Sequence, residues 1–269
     1  MICRELLASV AIDHQEAEIL LADTLGVDRS WLFAHADASI DDQFVATFKA
    51  QAAQRSAGRP LAYILGYRDF WTMRVRVNDH VLIPRRETEH LVSWALERID
   101  DGAQRVLDLG TGSGAIALAC KAERAHIDMT GIDVSDSALA CARDNAHSLK
   151  LDVTWRLGNW FDALADEHWD LVLSNPPYIA QGDPHLEKGD LVAEPDTALI
   201  GGVSGIECLE QIILRSRDHL VDGGWLLLEH GYDQAAVVRD LCQRAGFKEV
   251  ATRKDWSGHE RMTGGRWLS

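Results

Sequence analysis

The chain has 269 residues, 46% of them hydrophobic, enough to bury one large domain or a large and a small one. A formal net charge of −15 at pH 7 argues against tight, sequence-independent binding to a phosphate backbone, and no apolar run reaches the length of a membrane span. The five cysteines are scattered without a C-x-x-C pair, which points to free thiols in a reducing cytoplasm and against a metal site.

The opening Met1-Ile2-Cys3-Arg4-Glu5 lacks the charged-then-apolar pattern of a signal peptide. Residues 1–68 then read as a helical domain. Leu6, Leu7 and Val10, followed by Ala17, Leu20, Leu21 and Leu25, recur at three- and four-residue spacings, and Asp41-Asp42 can cap a helix carrying Phe44, Val45 and Phe48. Residues 69–86 read as a β-hairpin linker, with Phe70–Val77 alternating, Asn78-Asp79 as the turn and His80–Pro84 as the returning strand. Between residues 49 and 86 lie eight basic side chains against two acidic ones. That stretch is either solvated surface or a docking stripe for an acidic or RNA-bearing partner.

From residue 87 to 269 strands and helices alternate. The expected strands are Arg105–Leu109, Met129–Asp133, Val153–Leu157, Leu171–Ser174, Trp225–Glu229, Lys248–Thr252 and a last run near Arg266–Leu268. Helical stretches separate them at Ala115–Glu123, Ser137–Leu149, Gly205–Leu220 and Gln234–Ala245. Strands joined by single helices imply right-handed crossovers, hence an α/β, doubly wound, mostly parallel seven-stranded sheet covered on both faces.

Two motifs in this domain carry chemistry. The first is Gly110-Thr111-Gly112-Ser113-Gly114, which follows a strand and opens a helix. Glycines there let a ligand touch the backbone, and the helix N-terminus favours a carboxylate or another negative group. Asp133 ends the next strand where an acidic residue can meet both ribose hydroxyls of a nucleoside. Trp160, after the third strand, can lie beside an adenine ring; Asp108 can orient the loop. These residues permit either a nicotinamide dinucleotide or S-adenosylmethionine.

The second motif, Asn175-Pro176-Pro177-Tyr178 at the end of the apolar run 169–174, decides between them. Prolines have no N–H, so the carbonyls of this tetrapeptide stay free to accept from a ligand. Asn175 adds a side-chain acceptor and Tyr178 a flat ring, together a cradle for a planar group bearing an NH₂. In a doubly wound sheet the first and fourth strands are neighbours, which brings this cradle to the glycine loop's ligand. A methyl acceptor needs such a cradle; a hydride enzyme does not.

The chain resembles the class I S-adenosylmethionine-dependent methyltransferases, and among them the HemK/PrmC family of peptide-chain release factor glutamine N5-methyltransferases. The resemblance runs through Pro60–Gly66, Leu82–Glu89, the glycine loop, Asn175–Tyr178 and Glu194-Pro195-Asp196-Thr197-Ala198-Leu199. It implies a Rossmann-like domain that binds S-adenosylmethionine through Gly110–Gly114 and Asp133, with Trp160 at its adenine end. It also implies that Asn175 touches both cofactor and substrate, and that Pro176, Pro177 and Tyr178 line the pocket of a glutamine in a Gly-Gly-Gln motif. The catalytic set expected is Asn175, Pro176 and Tyr178. The expected partners are class I release factors met by a cytoplasmic monomer without DNA or membrane, residues 1–68 serving substrate recognition. Arg86 departs from the family's usual second proline. Three other readings compete: an adenine-N6 or cytosine-N4 nucleic-acid methyltransferase with the cradle around a flipped base, a nicotinamide oxidoreductase, and a non-catalytic adapter.

Overall fold

A computed structural model describes residues 1–269 and divides into two compact units, Met1–Tyr67 and Arg68–Ser269. The first unit is helical: α1 (Cys3–Ala8), α2 (His14–Leu25), α3 (Arg29–Ala34), α4 (Asp42–Ser56) and α5 (Leu61–Leu65). Asp13 starts α2 by accepting from the Gln15 and Glu16 N–H groups, and Gly26 stops it at φ +67°, a conformation free of penalty only without a Cβ. Leu6, Leu20, Leu21 and Phe48 form its core. Arg55 ties α4 to α2 through a two-pronged bond to Glu16, both prongs at 2.8 Å.

Next comes a two-stranded sheet of β1 (Tyr67–Phe70) and β2 (Met73–Arg76). The hairpin is therefore shifted from the expected one: it turns at Trp71-Thr72, with Trp71 at φ +55°, rather than at Asn78-Asp79. Asn78 does make a turn, its carbonyl accepting from Val81 N–H at 3.1 Å, but residues 80–84 do not return along β2. The reason is that the Arg76 backbone is already engaged. Its N–H donates to Asn145 Oδ1 at 2.8 Å and its carbonyl accepts from Asn145 Nδ2 at 3.0 Å.

The remainder is α6 (Glu89–Asp100), β3 (Arg105–Leu109), α7 (Ala115–Glu123), β4 (Asp128–Asp133), α8 (Asp136–Leu149), β5 (Thr154–Leu157), β6 (Trp169–Ser174), α9 (Asp196–Leu199), α10 (Glu207–Ser216), β7 (Leu220–Glu229), α11 (Ala235–Arg244), β8 (Lys248–Lys254) and β9 (Glu260–Arg266). The strands form one seven-stranded sheet in the order β5-β4-β3-β6-β7-β9-β8, parallel except for β9, which runs antiparallel to both neighbours. Alternate residues feed two apolar layers. Val106, Leu171, Leu173 and Leu227 pack with α6 and α7 on one face, and Leu107, Leu109, Val172 and Leu228 pack with α10 and α11 on the other.

The last strand is Glu260–Arg266, not a run near Arg266–Leu268. Gly264 and Gly265 are strand residues. A Cβ on Gly264 would press into the Leu227 side chain and come within 2.8 Å of the Trp94 ring, so the glycine lets those two pack over β9. No helix is long and apolar enough to cross a membrane.

Candidate active site

The sheet order reverses between β3 and β6, and Leu109 stands opposite Ser174 in that pair. The Ser174 hydroxyl donates to the Leu109 carbonyl at 2.7 Å, which pins the register. The next residue on each strand is Gly110 and Asn175. Segments 65 residues apart therefore leave the same edge of the sheet side by side, at the switch point where α/β proteins bind ligands.

The glycine loop is fixed from below. The Gly110 and Thr111 N–H groups both donate to the Ile132 carbonyl, at 2.9 and 3.0 Å. Gly110, Gly112 and Gly114 take φ of +69°, +56° and +80°, values that side chains avoid. Asp133 braces the loop: Oδ2 accepts from Gly112 N–H at 2.8 Å and Oδ1 from Ser135 N–H at 2.9 Å. Each oxygen keeps a lone pair for a further donor. Burial raises the Asp133 carboxyl above its usual range, opposed by those backbone donors. Asp108, wholly buried under the loop, accepts from Thr111 Oγ1 at 2.6 Å; burial pushes its pKa up to about 7. Trp160, at φ +52°, lays its ring edge over Gly110, where a Cβ would sit 3.3 Å from the indole.

Asn175 Nδ2 donates to Thr88 Oγ1 at 3.2 Å, which turns the amide so that Oδ1 remains the free acceptor. Thr88 closes the 3₁₀ turn Arg86–Thr88 and is buried. Arg86 opens that turn exposed to solvent. Pro176 is buried. The Tyr178 hydroxyl donates to Glu229 Oε1 at 3.4 Å, and its carbonyl accepts from Gln234 Nε2 at 2.8 Å.

A strap from 194 to 200 covers the edge. Glu194, 4% exposed, accepts from Arg85 Nη2 at 2.5 Å and from Ile83 N–H at 3.4 Å, tying the strap to the 83–85 segment. Ile179 N–H donates to Leu199 O at 3.0 Å and Gly201 N–H to Ile179 O at 2.9 Å, so the strap also pairs with the chain leaving Asn175–Tyr178. Gly201 is required there, because a Cβ would run into the Pro177 carbonyl.

These pieces enclose a cavity of about 430 Å³, within the size range of small-molecule sites. Gly110, Thr111, Gly112, Ser113, Asp133, Trp160, Asn175 and Pro177 line it, so most of the residues singled out in the sequence meet at one place. Gly114, Pro176 and Tyr178 are not in its wall. Gly114 heads α7 and faces inward, with the Trp155 ring 2.9 Å from where its Cβ would be. His80, Leu82, Thr88, Thr197, Ala198, Cys208 and Gln211 also line it and were not singled out as ligand contacts. Leu82, Thr88, Thr197 and Ala198 lay within segments that carry the resemblance, the only sequence signal pointing to them.

Residues 2–66 match the family model described as PrmC N-terminal domain, and residues 88–199 the one described as Methyltransferase small domain. The release factor glutamine methyltransferase of Xylella fastidiosa is 48% identical over 96% of this chain and 95% of its own length. The enzyme of that name from Escherichia coli is 40% identical over 94% of this chain and 92% of its own. The chain belongs to the release factor glutamine methyltransferase family. A methyltransferase structure from Pyrococcus furiosus, 18% identical, superposes with a TM-score of 0.56 over 82% of this chain and 100% of its own, a likeness of fold.

Of the eight basic residues between 49 and 86, Arg55, Arg74 and Arg85 are committed to Glu16, Asp69 and Glu194 within the chain. The stripe presents correspondingly less free charge than its sequence suggests.

Proposed function

We infer that this chain is an S-adenosylmethionine-dependent methyltransferase that methylates the side-chain amide nitrogen of the glutamine in the Gly-Gly-Gln motif of class I release factors. One observation carries the reading: the Leu109–Ser174 register delivers the glycine loop and an acceptor-oriented Asn175 to a single cavity.

The wall fits S-adenosylmethionine. The first turn of α7 offers N–H groups to a carboxylate, the spare lone pairs of Asp133 suit a ribose diol, and Gly110 without a Cβ leaves room under the Trp160 indole for a flat base. When bound, the cofactor supplies an electrophilic methyl group on a sulfonium sulfur.

The chain's own residues do the rest. A carboxamide nitrogen is a weak nucleophile because its lone pair is delocalised into the carbonyl. Asn175 Oδ1 accepts one of its N–H bonds, and the carbonyl of Pro176, the buried residue between wall residues Asn175 and Pro177, takes the other once the substrate is seated; both favour the positive charge that builds on nitrogen during attack. Pro177 flanks the site, and the clamp from Thr88 keeps the Asn175 carbonyl, rather than its NH₂, aimed at the substrate. Tyr178 is held beside the turn by its bonds to Glu229 and Gln234. No titrating base is needed, since the cationic product amide is acidic enough to lose its proton to water. Residues 1–68 recognise the protein substrate, and the enzyme works as a cytoplasmic monomer without DNA.

Incubation with labelled S-adenosylmethionine and a mixture of purified release factor and duplex DNA tests this. Label on the Gly-Gly-Gln glutamine is expected. Label on DNA would favour the nucleic-acid methyltransferase reading, which the net charge of −15 opposes.

A further inference from the structure

Gln234 stands just before α11, half-buried, and its side-chain amide is bonded on both sides. Oε1 accepts from the Gly231 N–H at 2.8 Å. Nε2 donates to the Tyr178 carbonyl at 2.8 Å and to the Gly205 carbonyl at 3.3 Å. Only one orientation of the amide fits. Turned over, its oxygen would face two carbonyls and its NH₂ an N–H. The Gln234 backbone N–H also donates to the Gly231 carbonyl at 2.9 Å, so the side chain reaches out from a closed turn at the end of β7.

Three chain segments meet on this one amide. Tyr178 ends the Asn175–Tyr178 turn, Gly205 lies in the loop after the strap, and Gly231 follows β7. A Cβ on Gly205 would sit 2.6 Å from the Tyr178 carbonyl oxygen and 2.9 Å from Ala180 N, so loop and turn lie in direct contact there.

The turn needs a hold from outside itself. Pro176 and Pro177 have no N–H with which to stitch it together. Its entry is fixed by strand pairing and by the Ser174 hydroxyl on the Leu109 carbonyl. At its exit, the Tyr178 hydroxyl makes only a long bond to Glu229, 3.4 Å, whereas the Tyr178 carbonyl bonds Gln234 at 2.8 Å.

We propose that Gln234 is a positioning residue for methyl transfer, which clasps the exit of the Asn175–Tyr178 turn and the loop after the strap to the end of β7. The proposal rests on the role given to that turn above and deepens it. β7 pairs with β6, and β6 with β3, whose end carries the glycine loop. The clasp therefore refers the Asn175 and Pro176 acceptors to the same sheet that holds the cofactor's loop. Without it the turn is firmly anchored at its entry alone, and its acceptors swing about Ser174. A misplacement of about 1 Å between reacting groups costs on the order of 10²-fold in rate.

A purely local role for Gln234 would be to close the 231–234 turn through Oε1. Glutamate separates the two roles, because a carboxylate keeps the acceptor for Gly231 and loses both donors. Methionine, neutral and of similar length, loses all three bonds.

The test uses the full chain, at a temperature where circular dichroism shows each variant folded. In release factor methylation, Gln234→Glu and Gln234→Met should each lower kcat by about 10- to 100-fold, with KM for release factor and Kd for S-adenosylmethionine within a few-fold of wild type. In protein labelled with ¹⁵N-asparagine, the Asn175 side-chain resonance, assigned by its loss in Asn175→Ala, should move in both variants. Full turnover in Gln234→Glu, a loss confined to Gln234→Met, a change in KM alone, or an unmoved Asn175 resonance overturns the proposal. If the wild type fails to label release factor, the functional reading falls, while the Asn175 resonance still decides whether Gln234 holds the turn.

Discussion

Replacing Arg85 by alanine isolates the contact that holds the strap over the cavity. The Glu194 side chain is fully enclosed, and its counter-ion is Arg85 at 2.5 Å, with only the Ile83 N–H as a second donor. Removing one partner of an enclosed ion pair costs about 3–5 kcal/mol, because the other charge is stranded. Arg85 is 31% exposed, so water already screens part of the attraction, and about 2 kcal/mol is the expected loss. At roughly 2–4 °C per kcal/mol for a protein of this size, Tm should drop by about 4–8 °C at pH 8 in scanning calorimetry. The loss must also depend on pH. Burial raises the Glu194 carboxyl above the ordinary carboxylate range, and Arg85 pulls it back. Without Arg85 the folded-state value climbs further while the unfolded value stays put. A carboxyl whose folded pKa is raised costs stability as pH rises, because the unfolded chain ionises more readily. The difference between variant and wild type should therefore shrink at about pH 5. Adding Glu194→Gln should recover most of the loss at pH 8, since the stranded charge is gone. An equal Tm deficit at both pH values, or no recovery in the double variant, would refute this account of the strap.

Three further outcomes are expected. Asn175→Ala should lower kcat for release factor methylation by about 10²–10³-fold, the usual loss for a donor or acceptor aimed at developing charge, with cofactor affinity within a few-fold of wild type; near-normal turnover would end the proposed mechanism. Asp133→Ala removes the brace on Gly112 and the acceptor proposed for the ribose, so calorimetric titration should show S-adenosylmethionine binding weakened by about 10- to 100-fold, equivalent to the 1.5–3 kcal/mol of a charged hydrogen bond; an unchanged Kd would remove Asp133 from the cofactor site. Gly264→Ala forces a methyl group against Leu227 and the Trp94 ring, so a denaturant midpoint should report about 1–3 kcal/mol of lost stability, and a neutral result would mean that β9 can shift to make room.

Local pattern determined much of this protein. The alternation of buried runs and helical stretches after residue 87 was enough for the sheet and its two covered faces, because strand and helix periodicities are properties of short segments. The glycine loop and the Asn175–Tyr178 turn were legible for a similar reason: missing Cβ atoms and missing N–H groups are written directly in glycine and proline. What the sequence could not decide are contacts between segments far apart along the chain. The hairpin moved to Trp71-Thr72 because Asn145, 69 residues on, claims the backbone of Arg76. The last strand lies at Glu260–Arg266 rather than near Arg266–Leu268, with a tryptophan from α6 packed over Gly264. Tyr178 bonds Glu229, 51 residues on, and the Asn175 amide took its orientation from Thr88, 87 residues earlier. A side chain's type sets what it can bond, but which partner it meets is fixed only once the sheet has brought distant strand ends to one edge.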